Sequence, residues 1–476
     1  MAEQRTFDVV VIGGGAVGEN AADRAARAGL DVALVEHALV GGECSYWACM
    51  PSKVLLRAGG AREAARHAPG VADPGDLDVA AVLARRDEVT HRWDDAPQAD
   101  WVVGAGITLV RGHARFVGAR ELSVTTGDGE VRVTARRAVI VATGSVPHLP
   151  PIDGLADARP WTSREATSAQ HVPARLVVLG GGVVGCELAT AFVELGSAVT
   201  LVVRGSTLLT GAEPFAGRAV LDALRARGVR VLLDAQATAV HRDDDGVHVT
   251  VGDEVLTADE LLVATGRRPA TDDLGLEAVG LEPGRAVEVD DALAATGVAD
   301  GWLFAVGDVT GRTGTTHQGK YDARVAGDVV AARFGPDEDT RAAEADAEPW
   351  SRYRATADHS AVPQVVFTHP EVAWVGRTER EARDAGADVR VVDYELSDLA
   401  GASVLAPDYR GRARLVLDPQ DVVVGATFVG PDVAELLHAA TVAVVAQVPL
   451  GRLWHAVPAY PTLSEVWLRF GEAAGL

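Results

Sequence analysis

Lysine is nearly missing from this chain. Lys53 and Lys320 are the only two in 476 residues, so arginine supplies the other 42 of the 44 basic side chains. Basic charge as a whole is short: 67 Asp and Glu residues leave a formal net charge of −23. That balance repels phosphates and anionic headgroups, which argues against nucleic acid and membrane surfaces as partners. Long apolar runs are absent too, and none approaches the roughly 18–20 residues of a transmembrane helix. The opening "MAEQRTFDVVVIGGG" has no basic segment followed by an apolar core and a small-residue cleavage site. We therefore expect a soluble, cytoplasmic protein. Cysteine is scarce as well, with Cys44, Cys49 and Cys186 making the full set. Reducing cytosol disfavours structural disulfides, so the close pair in "GGECSYWACMPSK" is a catalytic or metal-binding candidate.

What is plentiful is glycine and aliphatic surface. Hydrophobic residues make up 48% and there are 51 glycines, as in a well-packed α/β protein. The length implies two to four domains. The chain opens with an apolar strand, "FDVVVI", that runs into "GGGAVG". A helical stretch ends at Gly29, and a second strand, "DVALVE", ends in Glu36. Gly13 permits the tight turn, Gly15 lets the backbone approach a pyrophosphate, and Gly18 lets helix and strand pack closely. The helix N-terminus then faces the phosphates, and Glu36 can accept hydrogen bonds from a ribose diol.

The unit repeats. "ARLVVL" is a strand, "GGGVVG" the turn with Gly180, Gly182 and Gly185, "VVGCELATAFVELG" the helix and "AVTLVV" the next strand. Two such units imply two dinucleotides. Glu36 lies 23 positions after Gly13, and the same step from Gly180 reaches Val203, followed by Arg204. The second unit thus lacks the ribose-binding acid. A 2′-phosphate disfavours a carboxylate and favours a guanidinium. The first site suits an unphosphorylated ribose such as that of FAD, and the second suits NADPH ahead of NADH.

Three further strands end at glycine turns: "VIVATG", "LLVATG" and "LFAVGDVTG", the last placing Asp308 where it can bind a polyol hydroxyl or cap a helix. From about residue 331 to 362 the chain is acidic and aperiodic, which reads as an exposed connector or peripheral helix. "PQVVFT", "EVAWVG", "VRVVDYEL", "RARLVLD" and "VVVGATFVG" then read as a mainly antiparallel sheet, followed by a helix and the tail "LWHAVPAYPTLSEVW".

Two GxGxxG units, a CxxxxC followed by "MPSK", two ATG turns, the "AVGD" segment and a terminal "PTLSE" together resemble the flavoprotein disulfide reductases, the class I pyridine nucleotide-disulfide oxidoreductases. The resemblance runs in order along essentially the whole chain. It implies an α/β fold of two Rossmann-like dinucleotide-binding domains plus a C-terminal α+β dimerisation domain. The expected boundaries are 1–150 with 273–345 for FAD, 151–272 for NAD(P) and 346–476 for dimerisation. It also implies a homodimer whose active sites combine residues of both subunits, acting on a small-molecule substrate. The FAD contacts it implies are Gly13, Gly15, Gly18, Glu36, Gly42, Lys53, Ala114, Thr143, Gly144, Asp308 and Thr316. Those for NAD(P) are Gly180, Gly182, Gly185, Val203, Arg204 and Gly266. No metal is expected.

A structural zinc site wants about four N/S ligands in close pairs. Cys186 lies far along in a helical pattern, and no histidine pair completes a set. A structural disulfide closing so short a loop adds little to a large cytosolic protein. Residues five apart on an ideal helix sit about 140° apart. Cys44 is therefore expected in a loop or a distorted first turn, with Cys49 in the helix and Pro51 contributing to the distortion. Beside a flavin, the pair reads as a redox couple. By resemblance, Cys49 is the thiol in charge-transfer contact with the flavin, and Cys44 is the interchange thiol that attacks a disulfide. Lys53 then stands out, because a chain that otherwise uses arginine keeps a compact ammonium there. The resemblance pairs it with Glu187 beside the flavin.

The C-terminus departs from the family pattern. Where the family has a histidine followed by an orienting glutamate, this chain has Tyr460 and Glu465. A phenol of pKa about 10 is a poor base at neutral pH beside an imidazole of about 6.5. His455 lies nearby at a spacing that does not match. Tyrosine here is similar to mercuric reductase, but the C-terminal cysteine pair of that enzyme is missing. Three functions follow: an NAD(P)H-dependent flavoenzyme reducing a small disulfide, a quinone or metal-ion reductase with auxiliary cysteines, and a flavoprotein redox sensor.

Overall fold

The computed structural model describes residues 3–476. It divides into two compact units. One holds the described residues up to Met50 together with Asp87–His148 and Arg267–Asp358; the other holds Pro51–Arg86, Leu149–Gly266 and His359–Leu476. Five helices carry the residues singled out above: α1 (Ala16–Arg27), α2 (Gly42–Tyr46), α3 (Cys49–His67), α4 (Val183–Glu194) and α5 (Thr316–Phe334).

In the first unit the strand Glu3–Ile12 lies at the centre of a sheet. It pairs in parallel with Val32–Glu36 on one side and Gly129–Val141 on the other, aligning Val11 with Leu34 and Ile140. Val9, Val10 and Val11 are all 0% exposed, so both faces of this strand are covered and an unbroken β-branched run is what the position requires. Thr108–Arg111 and Leu303–Ala305 add in parallel, while His113–Gly118 and Glu121–Thr126 extend the sheet as antiparallel strands. One face is covered by α1 and α5. Ala21, Ala22 and Ala25 of α1 share a core with Ala323 and Ala326 of α5, small side chains that let the two helices approach closely.

The Gly-rich turn is fixed by sterics. Gly13 has φ +102°, and a Cβ there would fall 2.4 Å from the Ala142 carbonyl oxygen. A Cβ on Gly18 would fall 1.8 Å from the Gly13 oxygen. The second unit repeats this almost atom for atom: the corresponding approaches are 2.3 Å from Gly180 to Ala264 O and 1.9 Å from Gly185 to Gly180 O. Its parallel sheet runs Arg230–Leu232, Ala198–Val202, Arg175–Leu179, Glu260–Val263, with α4 after the central strand. The same unit carries a three-stranded antiparallel meander over residues 237–258. It also carries a five-stranded antiparallel sheet built from the five segments read as strands between Gln364 and Gly430.

Two local expectations are corrected. Cys44 lies neither in a loop nor in a distorted turn of the following helix; it sits in the separate short helix α2, and Cys49 is the first residue of α3. The break falls at Trp47, whose φ of −139° ends α2. Pro51 distorts nothing. It lies in the first turn of α3, where a backbone N–H has no helical acceptor and its loss is free. In the acidic stretch, Glu338–Ala345 forms a helix capped by Asp337, and Glu344 is buried between Arg333 and Arg354.

Gly13→Ala meets both a positive φ and a backbone clash, whereas Gly29, at φ +81°, has nothing within 4 Å of a new Cβ. We expect Gly29→Ala to cost about 1 kcal/mol and Gly13→Ala about 3 kcal/mol or more. Thermal unfolding of the two variants checks the ranking, and equal melting temperatures would show that the Ala142 contact relaxes freely.

Candidate active site

The cysteine motif is brought to the first Gly-rich turn by glycine packed on glycine. The Gly41 N–H donates to Gly14 O at 2.7 Å, and a Cβ on Gly42 would fall 2.7 Å from Gly15 Cα. Only a residue without a side chain fits there, so α2 starts against the turn. Cys44 and Cys49 are both half-buried and lie within hydrogen-bonding reach of each other. Cys49 Sγ also lies 3.3 Å from Thr316 Oγ1, at the start of α5. Its place at the first position of a 19-residue helix favours a thiolate through the helix dipole. The hydrogen bond with Cys49 pushes the Cys44 thiol upward, burial adds to this, and Thr316 and the Lys320 charge act in the opposite direction.

The same unit offers a cradle of the right chemistry for a dinucleotide. Glu36 is buried, and its carboxylate accepts from Gly14 N and Ala38 N, each at 2.6 Å. The buried hydroxyl oxygens of Thr143, Thr313 and Thr315 have no protein partner. Asp308 accepts from Ser145 Oγ at 2.6 Å, and that hydroxyl receives Arg267 Nε at 2.7 Å. Arg267 also pairs with Glu43, the neighbour of Cys44. Ala114 is buried within its strand, and Gly144 turns the chain with φ +71°. A Gly-rich turn, an open helix N-terminus, a ribose-type carboxylate and unpartnered buried hydroxyls fit FAD.

In the other unit, Lys53 Nζ donates to Glu187 Oε2 at 2.7 Å. The Glu187 side chain is only 4% exposed, and its second oxygen accepts the Phe367 N–H at 3.0 Å. The Phe367 ring lies 5.0 Å from the ammonium. The second Gly-rich turn differs from the first in one respect. A Cβ on Gly181 would meet Val203 Cγ1 at 2.9 Å, so valine methyls stand where Glu36 stands in the first unit, and Arg204 beyond them is exposed. Gly182 caps α4 and Gly266 is open, with nothing within 4 Å of a new Cβ. At the C-terminus, Tyr460 is 75% exposed, whereas Glu465 is buried with Arg469 at 3.6 Å.

Several participants escaped the sequence reading. Ser145, Arg267 and Glu43 form a chain of polar contacts visible only in three dimensions; Arg267 directly follows the second ATG turn, the one available hint. Phe367 gave no signal. Lys320 did, being the other lysine, but its neighbour Glu19 did not. Burial pushes the Glu19 carboxyl up to about 7, with Lys320 opposing and Glu36 adding to the rise. Its buried Oε1 has no hydrogen-bond partner.

The pyridine nucleotide-disulphide oxidoreductase model matches residues 7–323, and the dimerisation domain model of the same name matches residues 362–469. This chain belongs to that family. The dihydrolipoyl dehydrogenase of Geobacillus stearothermophilus is 31% identical over 476 residues, covering 98% of this chain and 96% of the relative. The mercuric reductase of Streptomyces lividans is 34% identical, covering 96% and 94%. Among solved structures, RclA from Escherichia coli, a HOCl-induced flavoprotein disulfide reductase also solved as a Cu(II) complex, matches with a TM-score of 0.82. Its identity is 27%, over 98% of this chain and 99% of that one. The fold is accordingly two Rossmann-like dinucleotide-binding domains with a dimerisation domain, and FAD is the typical cofactor of this family. Among the described residues, no helix is long and apolar enough to cross a membrane.

Glu19 makes stability depend on pH. Its folded pKa of about 7 lies above the ordinary carboxyl value, so the folded state holds a proton that the unfolded chain releases. That contribution is complete at low pH and is lost as pH rises toward 7. We expect Glu19→Gln to be more stable than the parent at pH 8, by up to about 3 kcal/mol in unfolding free energy, with the gap narrowing toward pH 5. A gap that is constant across this range would refute the assignment.

Proposed function

We propose that this protein is an NAD(P)H-dependent flavoprotein reductase that uses Cys44 and Cys49 to reduce a low-molecular-weight disulfide. The observation that carries the reading is the thiol pair itself: two cysteines within hydrogen-bonding reach, one at a helix N-terminus, packed through Gly42 onto a dinucleotide turn. Bound FAD would supply the two-electron link between reduced nicotinamide and the oxidised Cys44–Cys49 pair. In the protein's own steps the Cys44 proton must leave first, because only a thiolate attacks a disulfide. Cys44, as thiolate, attacks one sulfur of the substrate; a mixed disulfide forms, the substrate S–S bond breaks, and the leaving thiolate takes a proton. Cys49 thiolate then attacks Cys44 sulfur, which closes the Cys44–Cys49 disulfide and releases the second thiol. Lys53, held by Glu187, places a fixed positive charge for a flavin that gains negative charge on reduction. The dimerisation domain supports a homodimer in which Tyr460 and Glu465 serve the partner subunit's site.

A second reading, reduction of a quinone or a metal ion, is favoured by Tyr460, which stands where the family has its histidine base, since such acceptors do not strictly need that base. The mercuric reductase relatives and the Cu(II) complex of RclA add weight to it. NADPH is the favoured donor, because Val203 removes the ribose-binding acid and Arg204 offers a guanidinium.

Cys44→Ser separates the two readings. Disulfide reduction should fall by about 10³-fold or more while quinone reduction survives, and loss of both would eliminate the auxiliary-cysteine version. Tyr460→His should raise disulfide turnover at pH 7 by about 10²-fold, since general acid–base help is worth that much; no gain would show that proton transfer does not limit. For the nucleotide, Arg204→Ala should lower the NADPH-to-NADH ratio of kcat/KM by about tenfold, the scale of one charge-assisted hydrogen bond. A parent enzyme that prefers NADH would overturn that argument at once.

A further inference from the structure

Glu187 has a counterpart two helical turns further along α4. Glu194 lies seven residues on, so it occupies the same helix face. It closes α4 with a side chain that is 5% exposed, and its Oε1 lies 2.8 Å from His369 Nδ1. Arg227 Nε stands 3.4 Å from the same oxygen, and Arg227 reaches Glu63 at 2.9 Å. On α3 the parallel step is from Lys53 to Gly60, again seven residues on one face. A Cβ on Gly60 would fall 2.7 Å from His369 Nε2, and one on Gly59 would fall 1.7 Å from Glu194 Oε2.

Two rungs thus join the same three elements. In the first, Lys53 of α3, Glu187 of α4 and Phe367 meet. In the second, Gly60 of α3, Glu194 of α4 and His369 meet. The third element is one short segment, 367–369, that leaves the strand Gln364–Val366. Phe367 supplies both the N–H that holds Glu187 and the ring beneath the Lys53 ammonium. Where that residue sits depends on what secures the segment two residues later. The securing contact is a buried carboxylate on an imidazole, seated in a gap that two consecutive glycines leave open.

We propose that His369 and Glu194 are positioning residues for the Lys53–Glu187 pair. The second rung fixes segment 367–369, and the segment fixes the place of the ammonium. This rests on the reading above, in which Lys53 serves a bound flavin. A glycine pair in the middle of a helix costs about 1 kcal/mol per residue against alanine, and the dyad gives that cost a purpose.

The test is the midpoint potential of bound flavin in the purified holoenzyme, measured for His369→Ala, His369→Asn, Gly60→Ala, Lys53→Met and the Lys53→Met/His369→Ala double variant. His369→Ala and Gly60→Ala break the second rung from different elements. Each should weaken the reduced state about tenfold, a shift of about 30 mV to more negative potential for a two-electron couple. His369→Asn keeps a donor toward Glu194 and should recover most of the shift. In the Lys53→Met background His369→Ala should add nothing, because its effect travels through Lys53. An unmoved potential in His369→Ala and Gly60→Ala overturns the proposal, as does an equal shift with and without Lys53. If Lys53→Met itself leaves the potential unchanged, it is the reading of Lys53 that fails, and the positioning role falls with it.

Discussion

A buried carboxylate in an apolar helix must be paired, and Glu187 is the constraint on which the redox motif depends. Eight residues of α4 are buried, and Glu187 is the one among them that carries a charge. Taking a carboxylate out of water costs several kcal/mol unless its lone pairs are filled, and removing one partner of such a pair is more costly than the pair is worth. Lys53 fills one oxygen and the Phe367 N–H the other. Cys49 begins α3 one turn before Lys53, and residues four apart share a face, so the thiol and the ammonium lie on one side of α3.

The two dinucleotide turns separate what backbone dictates from what side chains choose. A Cβ on Gly13 or Gly180 would fall 2.4 or 2.3 Å from a carbonyl oxygen, and one on Gly18 or Gly185 would fall 1.8 or 1.9 Å from the oxygen of the preceding turn. Those four distances describe one solution to bringing a strand, a turn and a helix N-terminus together. Against this common frame the next strand ends in Glu36 in one case and in Val203 in the other. A carboxylate bonded to a turn N–H offers its remaining lone pairs to a diol, whereas valine methyls offer none. The two turns thus share one backbone frame and differ in side chain at a single strand-end position.

Much of this was legible in the residues, and the limits of legibility are physical. The glycine turns and the cysteine pair are readable because each needs an unusual residue type at a fixed spacing, Lys53 because lysine is so rare here, and its pairing with Glu187 only through the family resemblance. The break between the cysteines is not, since "SYWA" contains neither glycine nor proline, and Trp47 ends α2 through tertiary context alone. Nor are His369, Glu194, Arg267 or Ser145, whose residue types are ordinary on any surface. They acquire meaning from partners 122 and 175 positions away. Gly59 and Gly60 were in plain view, but a glycine pair inside a helix announces only that something approaches, not what.

Around the thiol pair the contacts are local: the two cysteines lie within hydrogen-bonding reach, Thr316 lies against Cys49, and a network from Glu43 through Arg267 and Ser145 ties the neighbour of Cys44 to Asp308. The hydrogen bond between the thiols and burial push the Cys44 thiol upward, and Thr316 and Lys320 act in the opposite direction. Within the protomer Tyr460 faces solvent, while Glu465, which would orient a base, turns to Arg469. Tyrosine in place of histidine removes a ring nitrogen that can accept a proton, and a phenol is the weaker base at neutral pH, so the substitution bears on proton transfer and leaves the thiol pair itself untouched.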